Sequence, residues 1–290
     1  MSEGLRISVI IPVLNAADTL VACLNSVVKQ NLAPFEIIIL DNDSTDETAA
    51  IISDFANRHS NIRTAFLKEK GRGRARNACL DLVRGDIVAM IDADCVALDN
   101  DWLGSLVAPI ISGQAEATMG KEESAVKNYW SLARQRSNNK FLQNCQEGAY
   151  IGHIDTKNFA ITADLVKSLR FDSRLKTCED WDLYFRFRTL GKKVLLVEAA
   201  KVAHHHDFSA RALFQTQFLR GQEMTLIAKK LGLPIRLRDF FTFIPWSLWQ
   251  VVTQPRFAPF NILADLAWKI GLLAAYKKKN RVRFLEDKIV

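Results

Sequence analysis

Three short apolar runs constrain this chain more than any other feature. They are Ile7-Ser8-Val9-Ile10-Ile11, Ile37-Ile38-Ile39-Leu40 and Ile87-Val88-Ala89-Met90-Ile91. Each is nearly continuous and rich in β-branched residues, the signature of a strand buried on both faces of a parallel sheet. Helical spacing fills the gaps. Leu20, Val21, Leu24, Val27 and Val28 recur after Asp18, and Ala49, Ile51, Ile52 and Phe55 after Thr45. Ser44 with Glu47 three residues on reads as a capping box for that second helix. Ala75 to Val83 reads as a third helix ended near Gly85, and Ile62 to Leu67 as a further strand. The alternation predicts an α/β fold, a mostly parallel sheet with helices on both faces. Ligands of such sheets bind outside the carboxyl ends of the strands, so polar groups at those ends carry the chemistry.

Those ends are acidic. The first run delivers Asn15, the second Asp41-Asn42-Asp43-Ser44, the third Asp92-Ala93-Asp94. In an extended segment residues i and i+2 point the same way. Asp92 and Asp94 therefore suit a hard divalent cation, magnesium or manganese, which could hold a diphosphate leaving group. Alone, a D-x-D more often marks a solvated turn than a metal site; its place after a buried strand favours the metal. Lys70-Gly71-Arg72-Gly73-Arg74-Ala75-Arg76-Asn77 opens a helix with glycines and arginines suited to phosphate, though it lacks the third glycine of a dinucleotide fingerprint. Glu179-Asp180-Trp181-Asp182 opens another helix. Its acids can serve the helix dipole, or Asp180 can act as a general base. His204-His205-His206 follows a strand over Val194 to Val197, and His204 is the one best placed to complete the metal site.

Residues 100 to 200 are less regular. Helices are expected over Trp102–Ile111, Leu165–Leu169 and Trp181–Leu190, with Ala133–Gln146 either a helix or a loop. After His206 the pattern is mostly helical. The chain has 290 residues, 49% of them hydrophobic, enough for a sizeable core. Its five cysteines are scattered and include no C-x-x-C pair, which argues against a disulfide framework or structural zinc and for a cytoplasmic setting. The net charge of +7 suits anionic partners. A nucleic-acid partner would rest on that charge alone and is not expected.

Taken in order, these segments resemble the family 2 glycosyltransferases, inverting enzymes of GT-A fold. The residues are Ser8-Val9-Ile10-Ile11-Pro12-Val13-Leu14-Asn15, Leu40-Asp41-Asn42-Asp43-Ser44-Thr45-Asp46, Ala75-Arg76-Asn77, Gly85-Asp86-Ile87-Val88 running into Asp92-Ala93-Asp94, Phe171-Asp172 and Glu179-Asp180. The resemblance covers roughly residues 6 to 206. It implies that Asp41 and Asn42 contact the donor's base and ribose, with Pro12 and Asn15 lining the same pocket and Arg76 at the donor. Asp94 would ligate the metal, Asp92 would be shared between metal and donor, and Asp180 would be the base of a single displacement. Two positions depart from the pattern. Asn42 and Asp43 stand where an acid and a glycine are usual, which loosens the choice among pyrimidine and guanine donors, with a UDP-sugar favoured. Cys95 stands where a third acid is common.

The expected activity is transfer of a sugar from a nucleotide-diphosphate sugar to a hydroxyl of a saccharide or lipid-linked acceptor, in envelope glycan or polysaccharide synthesis. A sugar nucleotidyltransferase would use similar acids and metal, and a non-catalytic nucleotide-sugar-binding module would keep the pocket alone. The domains expected are 1–210, with a nucleotide-binding half (1–100) and an acceptor half (101–210), and a helical extension over 211–290. In that extension the aromatic-rich 240–249, the apolar Ile262 to Tyr276, and Lys277, Lys278, Lys279, Arg281 and Arg283 together suit peripheral contact with the inner face of an anionic membrane. No stretch is expected to reach the roughly 18–20 apolar residues of a span.

Overall fold

The three apolar runs become β1 (Ile7–Val13), β2 (Glu36–Asp41) and β4 (Ile87–Ile91), with β3 (Ile62–Phe66) beside β2. The computed structural model describes residues 5–142, 150–151, 154–206, 208–232 and 251–286; for 138–142, 150–151 and 277–286 it gives the backbone only. The remaining strands are β5 (Cys95–Ala97), β6 (Ala117–Ser124), β7 (Tyr150–Ile151), β8 (Asn158–Thr162) and β9 (Val194–His204). They join one sheet in the order β3-β2-β1-β4-β8-β6-β9-β5, with β7 on β9. The first four run parallel, and β8 then inserts antiparallel between β4 and β6. Val13 stands opposite Asp41, so β1 and β2 end level and put Asn15 and Asp41 on one rim.

Alternation along the buried strands divides the core. Val9, Ile11, Ile37, Ile39 and Ala89 face α1 (Ala17–Val28), α2 (Thr48–Arg58) and α4 (Trp102–Ile111). Ile10, Ile38, Leu40, Val88 and Met90 face α3 (Arg72–Leu82), α6 (Ala163–Leu169) and α7 (Glu179–Thr189). This is the expected mostly parallel sheet with helices on both faces.

Two local expectations change. Ser44 and Glu47 form no capping box: α2 begins at Thr48, whose N–H is held by Asp46 Oδ1, and Ser44 Oγ instead accepts the N–H of Asn15. The strand expected over Val194–Val197 runs on to His204. It does so past an irregularity: Gly120 faces Val197, but Lys121 faces Lys201, so three residues of β9 bulge out. Asn158 fills the gap, donating to the carbonyls of Lys121 and Ala200 and accepting the indole N–H of Trp102. A Cβ on Gly120 would lie 2.0 Å from the Ala200 carbonyl oxygen, so only glycine fits.

The chain divides into two compact units. The first is 1–127, 135–174 and 179–206, and the second is 128–134, 175–178 and 207–290. Two short inner segments, 128–134 and 175–178, belong to the second unit. That unit contains α8 (Ala210–Lys230), α9 (Ala258–Glu286) and the first turns of α5 (Tyr129–Leu142). Phe208, Leu213, Phe260 and Ala133 form its apolar cluster. In α8 and α9 Gly221 abuts Trp268 and Gly271 abuts Phe218, each with no room for a methyl group. Glu223 of α8 accepts the backbone N–H groups of Lys176, Thr177 and Cys178.

The expectation that no stretch reaches span length is corrected here. Ala258–Tyr276 gives 19 helical residues of mean hydropathy 1.2, a third of them buried, long and apolar enough to cross a membrane by length and composition alone. A core helix of a soluble protein meets the same test. Its two charges, Asp265 and Lys269, lie one turn apart and pair at 2.9 Å. The aromatic segment 240–249 lies outside the described residues.

Candidate active site

Asparagines and hydroxyls at the ends of β1 and β2 fold the loops there. Asn15, at φ 49°, accepts the Thr45 N–H on Oδ1, while Asp41 Oδ1 accepts the Ser44 N–H. Asp43 has φ 65°, a left-handed conformation that Asp tolerates better than most residues and that explains why glycine is the usual occupant. Pro12 lies half-buried in β1. Asn42 differs from its expected role. Its amide donates to the carbonyls of Leu67 and Glu69, and Oδ1 accepts the Gly71 N–H. Both amide hydrogens are thus committed to the loop leading into α3, so Asn42 fixes that loop and has no hydrogen left to read a pyrimidine edge. Asp41 remains the polar group at that position.

Arg76 lies inside the protein, not on the loop surface. One Nη donates to Glu179 Oε1 at 2.6 Å and the other to Asp92 Oδ1 at 2.9 Å, with the guanidinium over the Phe171 ring. Burial alone would lower its pKa, but the charges of Asp92, Glu179 and Asp180 raise it and keep it cationic. It ties the end of β4 to the start of α7. Sequence assigned Arg76 to the donor and missed this clamp; the signal available was Ala75-Arg76-Asn77 placed on the buried face of α3. Asn77 forms a second tie, exchanging two hydrogen bonds with the backbone of Phe171. Of the two acids at the start of α7, Glu179 is 2% exposed and held by Arg76. Asp180 is half-buried and accepts its neighbour Trp181's N–H on Oδ1.

Past β4, Asp94 meets His204 from the far end of β9: Oδ2 lies 3.1 Å from Nε2, and His206 Nδ1 is 3.8 Å from the same oxygen. The other nitrogen of His204 lies 2.6 Å from Glu122 Oε1, and Lys157 Nζ holds Glu122 Oε2 at 2.9 Å. Burial pushes the Asp94 carboxyl up, but the His204 hydrogen bond and the His204, His206 and Lys157 charges outweigh it and hold the group at about 2. Burial pushes His204 down, yet its bonds to Asp94 and Glu122 lift it to about 9. Asp94, Cys95 and His204 offer donor atoms within 4.8 Å of one another. The Cys95 thiol is pushed well up by burial and by Asp94 and Asp92, and a protonated sulfur is no ligand for a hard cation. Asp92 is not brought into that group, its Oδ1 being held by Arg76. The oxygen of Asp94 with the imidazole of His204 suits manganese or magnesium, manganese accepting imidazole more readily.

Acids gathered where parallel strands end, in a sheet with helices on both faces, are the arrangement of an α/β protein of the GT-A type. The chain belongs to the family 2 glycosyltransferases: residues 8–170, more than half of its length, match the family described as Glycosyl transferase family 2. It is 26% identical over 224 residues to the amylovoran biosynthesis glycosyltransferase AmsB of Erwinia amylovora, covering 70% of each chain. Three other curated relatives are longer, and the matched region spans 30%, 46% and 27% of their lengths. The fold is similar to the mannosyltransferase PcManGT from Pyrobaculum calidifontis in complex with GDP-Man and Mn2+, at TM-score 0.62 and 20% identity, covering 97% of this chain and 76% of that one. It is also similar to glucosyl-3-phosphoglycerate synthase from Mycobacterium tuberculosis in complex with Mn2+, UDP-glucose and phosphoglyceric acid, at TM-score 0.58 and 23% identity, covering 80% and 81%. At these identities the likeness is one of fold.

Proposed function

We propose that this protein transfers a sugar from a nucleotide-diphosphate sugar, a UDP-sugar in first place, to a hydroxyl of a saccharide or lipid-linked acceptor, with inversion, in envelope glycan or polysaccharide synthesis. The observation that carries this reading is the Arg76 clamp, which ties the carboxylate of Asp92 to the helix start that bears Asp180. Donor binding falls to residues 1–100, through Pro12, Asn15, Asp41 and Asp92, and acceptor binding to 101–210. Residues 211–290 form the helical extension.

In this mechanism Asp180 removes the acceptor hydroxyl's proton as that oxygen attacks the anomeric carbon opposite the leaving diphosphate. One C–O bond forms while another breaks, and configuration inverts. The charge of Arg76 interacts with Asp180, while Glu179 is held on Arg76 and serves as its counter-ion. A manganese or magnesium ion held by Asp94, Asp92 and His204 would supply positive charge to the departing diphosphate. Positioning of the two reactants supplies much of the rest of the acceleration.

The membrane reading is supported by exposed Leu266 and Ile270 one turn apart on α9, ahead of the basic cluster from Lys277. It places the enzyme at the inner face of the cytoplasmic membrane. Sedimentation with anionic vesicles at low salt tests it, and protein left wholly in the supernatant removes it. The activity test is a panel of UDP- and GDP-sugars with and without manganese, read as nucleoside diphosphate release. Release of pyrophosphate instead would mark a nucleotidyltransferase, and no turnover with any donor and acceptor would mark a binding module.

A further inference from the structure

Glu122 has no part in the sequence motifs, yet it touches the candidate metal site. It lies on β6 opposite Val202, so His204, two residues further along β9, is its diagonal neighbour on the same face. Its carboxylate is divided between two partners. Oε1 lies 2.6 Å from His204 Nδ1, and Oε2 lies 2.9 Å from Lys157 Nζ. All three side chains are nearly enclosed, at 11%, 7% and 6% exposure. Lys157 is also paired with Asp155, so its charge is matched on two sides. A lysine buried this far is stable only when so matched.

We propose that Glu122, braced by Lys157, is a positioning residue that fixes the ring orientation and tautomer of His204 for a divalent cation. The inference rests on the metal reading given under Proposed function. With Nδ1–H donated to Glu122, Nε2 is the nitrogen left facing Asp94 Oδ2, 3.1 Å away; it donates to that carboxylate in the metal-free chain and would give up this proton to a cation bound between them. A ring held at one nitrogen cannot swing out of the site, and a carboxylate acceptor makes the opposite nitrogen a better donor to metal. Lys157 holds the carboxylate in turn, so the order runs Lys157, Glu122, His204, cation. Glu122 touches neither donor nor acceptor in this arrangement and acts only through His204.

Binding of Mn2+ alone to the full chain, followed by electron paramagnetic resonance of the free ion, tests this without turnover. Glu122→Gln is expected to weaken Mn2+ binding by about 10- to 100-fold, the usual size of such an outer-shell loss. Glu122→Gln combined with His204→Gln is expected to bind no more weakly than His204→Gln, because the two act as one unit. Nitrogen-15 shifts of the His204 ring in the Mg2+-loaded chain should show Nδ1 protonated and Nε2 bare in the parent, and a mixture in Glu122→Gln. Because Glu122→Gln removes one of the two carboxylates paired with the buried Lys157, Glu122→Gln with Lys157→Met is the second variant: it removes both charges of the Glu122–Lys157 pair, is expected to fold, and should still bind Mn2+ weakly. Parent-like Mn2+ affinity in either folded variant, or losses that add in the His204 double variant, overturns the role of Glu122 and leaves the metal reading standing. A parent chain that binds no Mn2+, like Asp94→Ala, overturns both.

Discussion

The two halves of the sheet handle polar residues in opposite ways. Along β3-β2-β1-β4, polar side chains at the rim turn back on their own loops: Asn15 and Ser44 hold the turn before α2, and Asn42 holds the turn before α3. Along β8-β6-β9-β5, polar side chains reach across strands to one another: Asp94 to His204, His204 to Glu122, Glu122 to Lys157. The first half is a cradle whose shape is set locally. The second is a charged network assembled from residues 94 to 204, and it borders the place where the chemistry is proposed. Arg76 and the start of α7 stand at the join.

Four substitutions test this division. The largest effect is expected from Asp180→Asn, a reduction in turnover of about 10²- to 10⁴-fold with the unfolding midpoint nearly unchanged. Normal turnover would put the base elsewhere. Arg76→Met comes next. It leaves Glu179 buried without its counter-ion, and denaturant titration should show a loss of about 3–5 kcal/mol. A loss below about 1 kcal/mol would mean that the join carries little of the fold. Asn42→Ala belongs to the cradle and removes its side-chain bonds to three backbone groups, so stability should fall by about 1–3 kcal/mol. The same variant should raise the donor KM more than it lowers kcat; the reverse pattern would assign Asn42 to the chemistry.

The smallest effect is a pH dependence in the cradle's foundation. Glu36, buried at the start of β2, accepts from Ser8, from the Arg84 N–H and from Arg63. Burial raises its pKa, but these partners together bring it below the ordinary 4.5. Its contribution is therefore present above about pH 4.5 and is lost as pH falls through the lower folded value. The stability gap between the parent and Glu36→Gln should be widest near neutrality and close in acid. A gap independent of pH would refute the ionised role of Glu36.

Legibility from sequence follows the same division. β1, β2 and β4 were readable because burial on both faces leaves an unbroken apolar run, and the Trp102–Ile111 helix because its apolar face is wide. The placement of Asp41, Asp92 and Asp94 at strand ends and of Asp180 at a helix start was readable from chain order and strand ends. The roles of Arg76 and Asn42 were not, since an arginine among basic residues reads as solvated and an asparagine in a turn reads as available. Their partners, Glu179 and the Leu67–Gly71 backbone, are fixed only by the tertiary fold. Glu122 and Lys157 were missed for a related reason: β6 is too polar for its periodicity to mark it, and the partners of both residues come from other strands.

The bulge in β9 has a consequence for how the chain can change over time. Pairing with β6 stops at Val197 and resumes at Lys201, so the strand is two segments with a three-residue excursion between them, the Glu198 end tied to Lys121. The two ends of the excursion differ. Ala200 is fully buried and its carbonyl is held by Asn158, so it anchors the paired residues that deliver His204 opposite Ser124. Freedom to change side chain is therefore confined to Glu198 and Ala199, while the length of the excursion is fixed at the Ala200 end.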